Sequence, residues 1–487
     1  MGMEATIQAE LRTIIDAVLR GDVSETQAER VYELGRDAVT AFVLATAKRI
    51  TEMGPAPGPH TPSASIPPYA KPSAPTRGRK RPGARAGHKG RRRPTPEPDQ
   101  RIEVEALTRC PECGGPVMPA TRRRTRTIED MPAEARITAT EYAIPSHWCP
   151  ACRKHVEPRL GAALPKASIG NRLAAMTIVF HYGLGLTIDQ TRSVLLSPLR
   201  TRISAGGLAD LWQRAAEILL PWYETIGNQA KRSAVLHADE TGWRVNGRTH
   251  WLWCFANRVH CYYMIDEGRG GAALKRFFTD AFAGVLIHDF WRPYGSVLLD
   301  GSGEHQCCLA HLLRELEHVD EKVLPHKPPD AAEQWSAFVK MLKRLIRDGI
   351  RLRRRVDFTP AKYASRIARI DERLQALACA AYEDPDASRL AARLRRHLDE
   401  LFTFLDRPEA DWNNNLAERM IRPAVILRKN SQCNRSERGA ATQAVLMTIH
   451  RTLTLRGIDP QQAISDALTA YAATGTLPPM PSAVEGG

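Results

Sequence analysis

No run of apolar residues in this chain reaches the ~18 that a membrane-spanning helix needs, so insertion by an apolar helix is excluded from the reading. The first 30 residues also lack the unbroken apolar stretch of a secretion signal. Glu4, Glu10, Asp16, Asp22 and Glu25 are spread among their apolar positions, and a cytosolic location is the expectation. Without such a signal, the ten cysteines argue against a disulfide framework. Extremes of composition are missing too. Hydrophobic residues make up 43% and charged residues 25% of the 487, which rules out collagen-like, silk-like and wholly disordered classes. At about 150 residues per domain, the length suits roughly three domains.

Acids are missing from one place in particular. The chain carries 69 Lys and Arg against 54 Asp and Glu, a net charge of +15. Nine basic residues and no acid lie between Arg77 and Arg93. An excess of this size and placement points to a polyanionic partner. The surrounding segment, 53–100, holds 12 of the 34 prolines, six glycines and almost no large apolar residue. It reads as a linker that cannot bury enough surface to fold alone. Flexible Arg/Gly/Pro tracts suit phosphate contacts and narrow minor grooves. Arg77, Arg79, Lys80, Arg81, Lys89, Arg91, Arg92 and Arg93 are the candidate DNA contacts. A solvated tail is the competing reading.

Residues 1–52 read as two helices. Ile7, Leu11, Ile14 and Val18 form one apolar stripe. Ser24 and Gln27 then form a capping-box pattern ahead of Val31, Leu34, Ala38 and Ala41. Either a packed hairpin or a dimerising coiled coil fits.

Residues 101–160 hold Cys110-Pro-Glu-Cys113 and Cys149-Pro-Ala-Cys152. Two such knuckles aim four thiolates at one ion and make a tetrahedral structural Zn²⁺ site with no open position for catalysis. Strands over Ile137–Tyr142 are expected to fill the gap between them. A redox-active dithiol is the alternative. Residues 161–230 read as helical. Thr187 and Gln190 cap one helix, and Ser204 caps a second that carries Leu208, Leu211, Trp212 and Ala215. Helix, short turn, helix is compatible with a DNA-reading helix-turn-helix, although the spacing alone favours an ordinary helical hairpin.

From 231 to 304 the pattern changes to strand, strand, strand, helix, strand. The first strand runs through Asp239 and the last ends at Asp289. Residues 305–410 read as a helical insertion. Trp412-Asn-Asn-Asn-Leu-Ala-Glu418 opens a further helix in the segment 411–440, and 441–487 is helical again. The predicted fold class is α/β, a ribonuclease-H-like mixed sheet with a helical insertion, joined to N-terminal helices, a zinc ribbon and a helical DNA-binding module.

Phosphodiester transfer uses two divalent ions about 4 Å apart. Mg²⁺ takes hard oxygen ligands, usually one or two carboxylates with water and phosphate. A ribonuclease-H-like sheet provides one aspartate in its first strand, one at the end of its fourth, and a third acid from a later helix. Asp239, Asp289 and Glu418 occupy these three places and are the candidate catalytic ligands of two Mg²⁺ (or Mn²⁺). Glu240 is expected on the opposite strand face from Asp239. Asn414 and Asn415, four and three residues before Glu418, share its side of the helix and are expected to position the carboxylate or a phosphate. No covalent nucleophile with a partnering base is recognisable, which argues against a serine or tyrosine recombinase.

The sequence from His237 to Val245 resembles the first-aspartate motif of the insertion-sequence-66 family of bacterial transposases. Cys308-Leu-Ala-His311-Leu, Asn414-Asn-Leu-Ala-Glu418-Arg, Arg422-Pro-Ala-Val-Ile-Leu-Arg428-Lys429 and Ser436-Glu-Arg-Gly439 resemble its later motifs. The resemblance implies a DDE transposase that hydrolyses the phosphodiester at its element's ends and joins the 3′-hydroxyl to target DNA. It also implies terminal inverted repeats as substrate, Mg²⁺, accessory element-encoded proteins, and action on DNA in the bacterial cytoplasm. Arg422, Arg428 and Lys429 are further candidate DNA contacts, and a homo-oligomer is expected in the synaptic complex. Cys308 and His311 could bind metal or serve a structural role beside the core. A ribonuclease-H-like nuclease without strand transfer, and a catalytically silent zinc-dependent DNA-binding regulator, are the rival readings.

Overall fold

The chain divides into two units, Met1–Lys71 and Pro72–Gly487. The computed structural model describes residues 137–297 and 303–483, together with 14, 25–34, 39, 40, 42, 43, 97, 101, 109, 113–116 and 118. The candidate linker contacts Arg77, Arg79, Lys80, Arg81, Lys89, Arg91, Arg92 and Arg93, and the zinc candidate Cys110, lie outside the described residues. Among the described residues no helix is long and apolar enough to cross a membrane.

In the first unit Ile14 is helical and buried. Helix α1 (Glu25–Glu33) starts next to Ser24, where the capping pattern predicts a start, and buries Val31.

In the second unit, the turn at Cys149-Pro-Ala-Cys152 doubles the chain back. Strand β1 (His147–Cys149) pairs antiparallel with β2 (Lys154–Val156), and Arg153 takes φ 50° to close the turn. The strands expected over Ile137–Tyr142 are not there, since that stretch has no regular structure. It is exposed on nearly every residue, so its apolar side chains have no layer to pack on, and pairing begins at the knuckle itself.

Helix α2 (Asn171–Ile178) leads into α3 (Ile188–Leu196), which opens with the expected capping box. Gln190 N donates to Thr187 Oγ1 at 3.0 Å, and Thr187 N donates to Gln190 Oε1 at 2.8 Å. Ser204 accepts from Gly207 N at the start of α4 (Ala205–Lys231). Leu208, Leu211, Trp212 and Ala215 face inward as their spacing predicts. They join a core that also contains residues of the central sheet and the C-terminal helices. The helices of 161–230 therefore share their core with the sheet and do not form a separate body.

The sheet has strands β3 (Val235–Val245), β4 (Arg248–Ala256), β5 (Cys261–Asp266), β6 (Val285–His288) and β7 (Glu304–Cys307), in the order β5-β4-β3-β6-β7. The first three form an antiparallel meander, with Gly247 at φ 76° in the β3–β4 turn, a conformation that favours glycine. Helix α5 (Gly271–Phe277) crosses over, and β6 and β7 add in parallel. Strand β7 corrects the wholly helical reading of 305–410. Glu304-His-Gln-Cys307 has no apolar alternation to announce a strand. Its buried Gln306 amide instead bonds the carbonyls of Cys307 and Leu401.

Helices α6 (Leu309–Lys322), α7 (Pro329–Arg353), α8 (Pro360–Cys379), α9 (Pro385–Arg396) and α10 (Thr403–Asp406) build a second core. Trp335, Phe338, Leu342, Leu345, Leu390 and Leu394 line it, and it continues onto Val285, Ile287 and Cys307 of the sheet. Each fully buried large apolar side chain contributes roughly 1.5–3 kcal/mol, so the insertion is anchored to the sheet as well as to itself. The chain then runs through α11 (Asn415–Ser431), α12 (Glu437–Leu455) and α13 (Pro460–Thr474). Helix α12 covers the β5 edge, where Thr452 and Thr448 accept from the backbone N–H groups of Cys261 and Tyr263 at 3.1 and 2.9 Å. An edge that would otherwise pair with another chain is thereby satisfied.

Candidate active site

Strand register sets the first two acids side by side. In the parallel β3/β6 pair, Val235, Leu236 and His237 oppose Val285, Leu286 and Ile287. Asp239 and Asp289 are each the second residue beyond the last of these pairs. Asp239 is half-buried, and its Oδ1 accepts from Glu240 N at 2.9 Å. Asp289 lies just past β6, and its Oδ1 accepts from Trp291 N at 2.9 Å.

The third acid, Glu418, stands in the first turn of α11. Its Oε1 accepts from Arg314 Nη2 at 2.5 Å and lies 3.5 Å from His311 Nε2, both on α6. Asp239 feels the charges of Asp289 and Glu418, and Asp289 feels that of Glu418. Burial first, then Glu240 and Asp289, with a smaller part from Glu418, push the Asp239 carboxyl well above its ordinary range. Burial, Glu240 and Glu418 raise Asp289 to about 7, against the hydrogen bond from Trp291 and the charge of Arg269.

Among the described residues, ligand atoms of His288, Cys307 and Glu400, one from each, lie within 4.8 Å of one another. Glu418 is held toward Arg314 and His311 of the insertion. In a two-ion site the two outer carboxylates hold different ions, roughly 3.5–4 Å apart.

Asn414 is buried and does not reach a carboxylate. Its Nδ2 donates to Ala238 O at 2.7 Å, and its Oδ1 lies 3.1 Å from His237 Nδ1. Its backbone N–H donates to Cys308 Sγ at 3.1 Å. Cys308 is fully buried and so acts as a peg under the start of α11. Asn415 is exposed at the helix start. His237 is buried with its pKa lowered to about 4 by that burial, against the Asn414 bond and the nearby Asp411.

Sequence reasoning missed the support behind the aspartates. Glu240 is buried, on the far side of β3 from Asp239 as the strand alternation predicts. Its Oε1 accepts from Arg269 Nε and Nη2 at 3.0 and 2.9 Å, and its Oε2 from Tyr294 OH at 2.6 Å. The Arg269 guanidinium is sandwiched between the rings of Trp251 and Trp291, 4.5 and 4.0 Å from their centroids. Arg269, Tyr294, Trp251 and Trp291 lie outside the motif that contains Glu240, so only the fold reveals the set.

Of the basic candidates on α11, Arg422 and Lys429 are exposed. Arg428 is half-buried. Its Nη1 donates to Gly242 O and, at 3.1 Å, to Thr241 Oγ1. That guanidinium is committed to β3 and not presented to a ligand.

In the zinc module Cys113 and Cys152 are exposed and Cys149 is half-buried. Cys152 N donates to Cys149 Sγ at 3.4 Å, and bonds from Cys152 lower the Cys149 pKa. An N–H···S bond favours the thiolate that a metal requires.

Residues 166–442, more than half of the chain, match the model described as the transposase IS66 family. Residues 108–153 match the zinc-finger binding domain of transposase IS66. That match spans all four candidate cysteines and supports a structural Zn²⁺ in this module. Relatives in Sinorhizobium fredii (strain NBRC 101917 / NGR234) include "Uncharacterized protein y4qI", 25% identical over 331 residues, 62% of this chain and 59% of the relative. "Uncharacterized protein y4hP" is 23% identical over 420 residues, 78% of this chain and 75% of the relative. "Uncharacterized protein y4jD" is 23% identical over 398 residues, 77% and 76%. This chain thus spans 59% of the length of y4qI and about three quarters of the other two. A mixed α/β body and a cysteine-paired module, each matched by its own family model, make this chain a member of the IS66 family of DNA transposases.

Proposed function

We propose that the protein binds the terminal inverted repeats of its element, hydrolyses the phosphodiester at the element ends and joins the freed 3′-hydroxyl to target DNA. Asp239, Asp289 and Glu418 would hold two Mg²⁺ (or Mn²⁺). The observation that carries this reading is the β3/β6 register, which sets Asp239 on β3 beside Asp289 just past the end of the parallel β6, with the charge of Glu418 felt by both. The strand order and directions support a ribonuclease-H-like sheet.

The donor set fits the ions. Carboxylate oxygens are the hard ligands that Mg²⁺ takes, and a divalent charge would offset the burial and the repulsion that raise Asp239 and Asp289. When bound, the ions would supply activation of the attacking oxygen and stabilisation of the leaving one. The chain's own residues set the geometry. Trp291 N–H orients the Asp289 carboxylate. Glu240, Arg269 and Tyr294 brace β3 and the segment after β6. Asn414 fixes the start of α11 against β3, and Arg314 and His311 hold Glu418 from the insertion.

The zinc module and the basic linker are assigned to DNA capture, and a homo-oligomer with accessory element-encoded proteins is proposed for synapsis. Incubating the protein with labelled element-end duplexes, target DNA and Mg²⁺ tests the reading. Cleaved ends and joined products support it. Cleavage without joining indicates a nuclease, and binding without cleavage indicates a regulator.

A further inference from the structure

Behind Asp289, on the side toward the helical insertion, five titratable side chains converge without a role in DNA cleavage or joining. His288 ends β6 and Cys307 ends β7, and the two are register partners in the parallel pair. His397 and Glu400 come from the turn between α9 and α10, and His305 lies on β7. One ligand atom each from His288, Cys307 and Glu400 falls within 4.8 Å of the others. Cys307 Sγ lies 3.3 Å from Glu400 Oε2 and 3.7 Å from His397 Nδ1, and that Nδ1 is 2.7 Å from the same Oε2. His288 Nε2 is 2.9 Å from His305 Nδ1.

We propose that His288, Cys307, His397 and Glu400 form a second Zn²⁺ site, separate from the cysteine ribbon, that staples the helical insertion to the sheet beside Asp289. Three features support it. First, His288 Nδ1 is hydrogen-bonded to Asp289 O, and a carbonyl only accepts, so Nδ1 carries the proton and Nε2 is left unprotonated, accepting from His305 Nδ1 at 2.9 Å until an ion takes that lone pair. A metal-bound histidine is held in the same way, its other ring nitrogen donating to a carbonyl. Second, bonds of ~2.0–2.3 Å put the ligand atoms of tetrahedral zinc roughly 3.3–3.8 Å apart; the Cys307 Sγ distances of 3.3 and 3.7 Å match this, while His397 Nδ1 and Glu400 Oε2, 2.7 Å apart, would separate to admit the ion. Third, one sulfur, two imidazoles and one carboxylate suit zinc, whereas Mg²⁺ takes oxygen alone. Cys307 is fully buried and His288 nearly so, which shields the site from exchange. On binding, Cys307 releases its thiol proton and coordinates as thiolate. His305 stays beside His288 as a neighbour.

Metal analysis of the full chain tests the proposal. The wild type should hold about two zinc per chain, and Cys307→Ser should hold about one. In the double variant Cys149→Ser/Cys152→Ser, the remaining zinc should be replaceable by Co²⁺ with a cobalt–thiolate charge-transfer band. Adding Cys307→Ser should abolish that band, and His397→Ala or Glu400→Gln should weaken Co²⁺ binding by at least about tenfold. Circular dichroism reports whether each variant is folded. About one zinc in the wild type, unchanged by Cys307→Ser, would overturn the site. So would a folded ribbon-less variant that takes up no Co²⁺.

Discussion

The side-chain amide of Asn414 donates to the carbonyl oxygen of Ala238 across 2.7 Å, tying the residue ahead of α11 to the residue ahead of Asp239. Two of the three acids are therefore positioned through one buried asparagine. Asn414→Ala leaves that part of β3 without its partner, at a cost of about 1–3 kcal/mol. The expected outcome is a lower melting temperature and slower end cleavage with unchanged affinity for element ends. Asn414→Asp, which keeps the acceptor toward His237 and loses the donor toward Ala238, should be impaired similarly. Calorimetry and a single-turnover cleavage assay check both.

Asp239→Asn, Asp289→Asn and Glu418→Gln should each reduce cleavage by about a thousandfold or more. That corresponds to several kcal/mol of lost charge stabilisation. End binding, measured by gel shift, should stay near the wild-type level. A variant that cleaves at a normal rate in Mg²⁺ would remove its residue from the assignment.

The raised Asp289 carboxyl gives a pH dependence of stability. Its folded-state value of about 7 lies above the ordinary 3.8, so the folded chain holds this proton more tightly than the unfolded one. Its contribution is fully present below about pH 4 and is lost as pH rises through about 7. In chelator at pH 8, Asp289→Asn should therefore melt at least a few degrees above wild type, and roughly level with it at pH 4. Mg²⁺ should raise the wild-type melting temperature at pH 8 more than that of the variant. Thermal scans across pH, with and without Mg²⁺, measure this. A variant less stable than wild type at pH 8 in chelator would contradict it.

Zinc in the cysteine module should be a folding ligand, because a module this small has little apolar core. Cys113→Ser or Cys149→Ser should remove about one zinc per chain and weaken end binding while leaving the melting of the sheet-bearing body nearly unchanged. Metal analysis combined with a DNA titration decides it.

Neutralising Arg91, Arg92 and Arg93 together should weaken binding to element ends and to random DNA alike. It should also reduce the slope of log affinity against log salt by roughly 0.9 for each phosphate that the linker no longer neutralises. Loss of discrimination at an unchanged slope would make the linker a base reader.

The sequence alone determined what local patterning and chemistry can encode. Two runs of aromatic and apolar strand formers between His250 and Ile265, broken at Asn257-Arg258, specify the β4–β5 hairpin. Thr187 with Gln190, and Ser204, specify helix starts, because a side-chain oxygen within three residues satisfies an orphan N–H. Four cysteines in two short knuckles specify a metal-binding module, and the runs around Asp239 and Glu418 specify the family. Tertiary structure decided what depends on residues distant in the chain. The polar strand Glu304–Cys307 forms because β6 offers it a parallel edge. Asn414 turns away from Glu418 because the Ala238 carbonyl and His237 are there to receive it, and Arg428 is taken up by β3. His288, Cys307, His397 and Glu400 leave no pattern in the sequence. The distances between them are set by the pairing of two strands and the packing of an insertion whose helices return to the sheet.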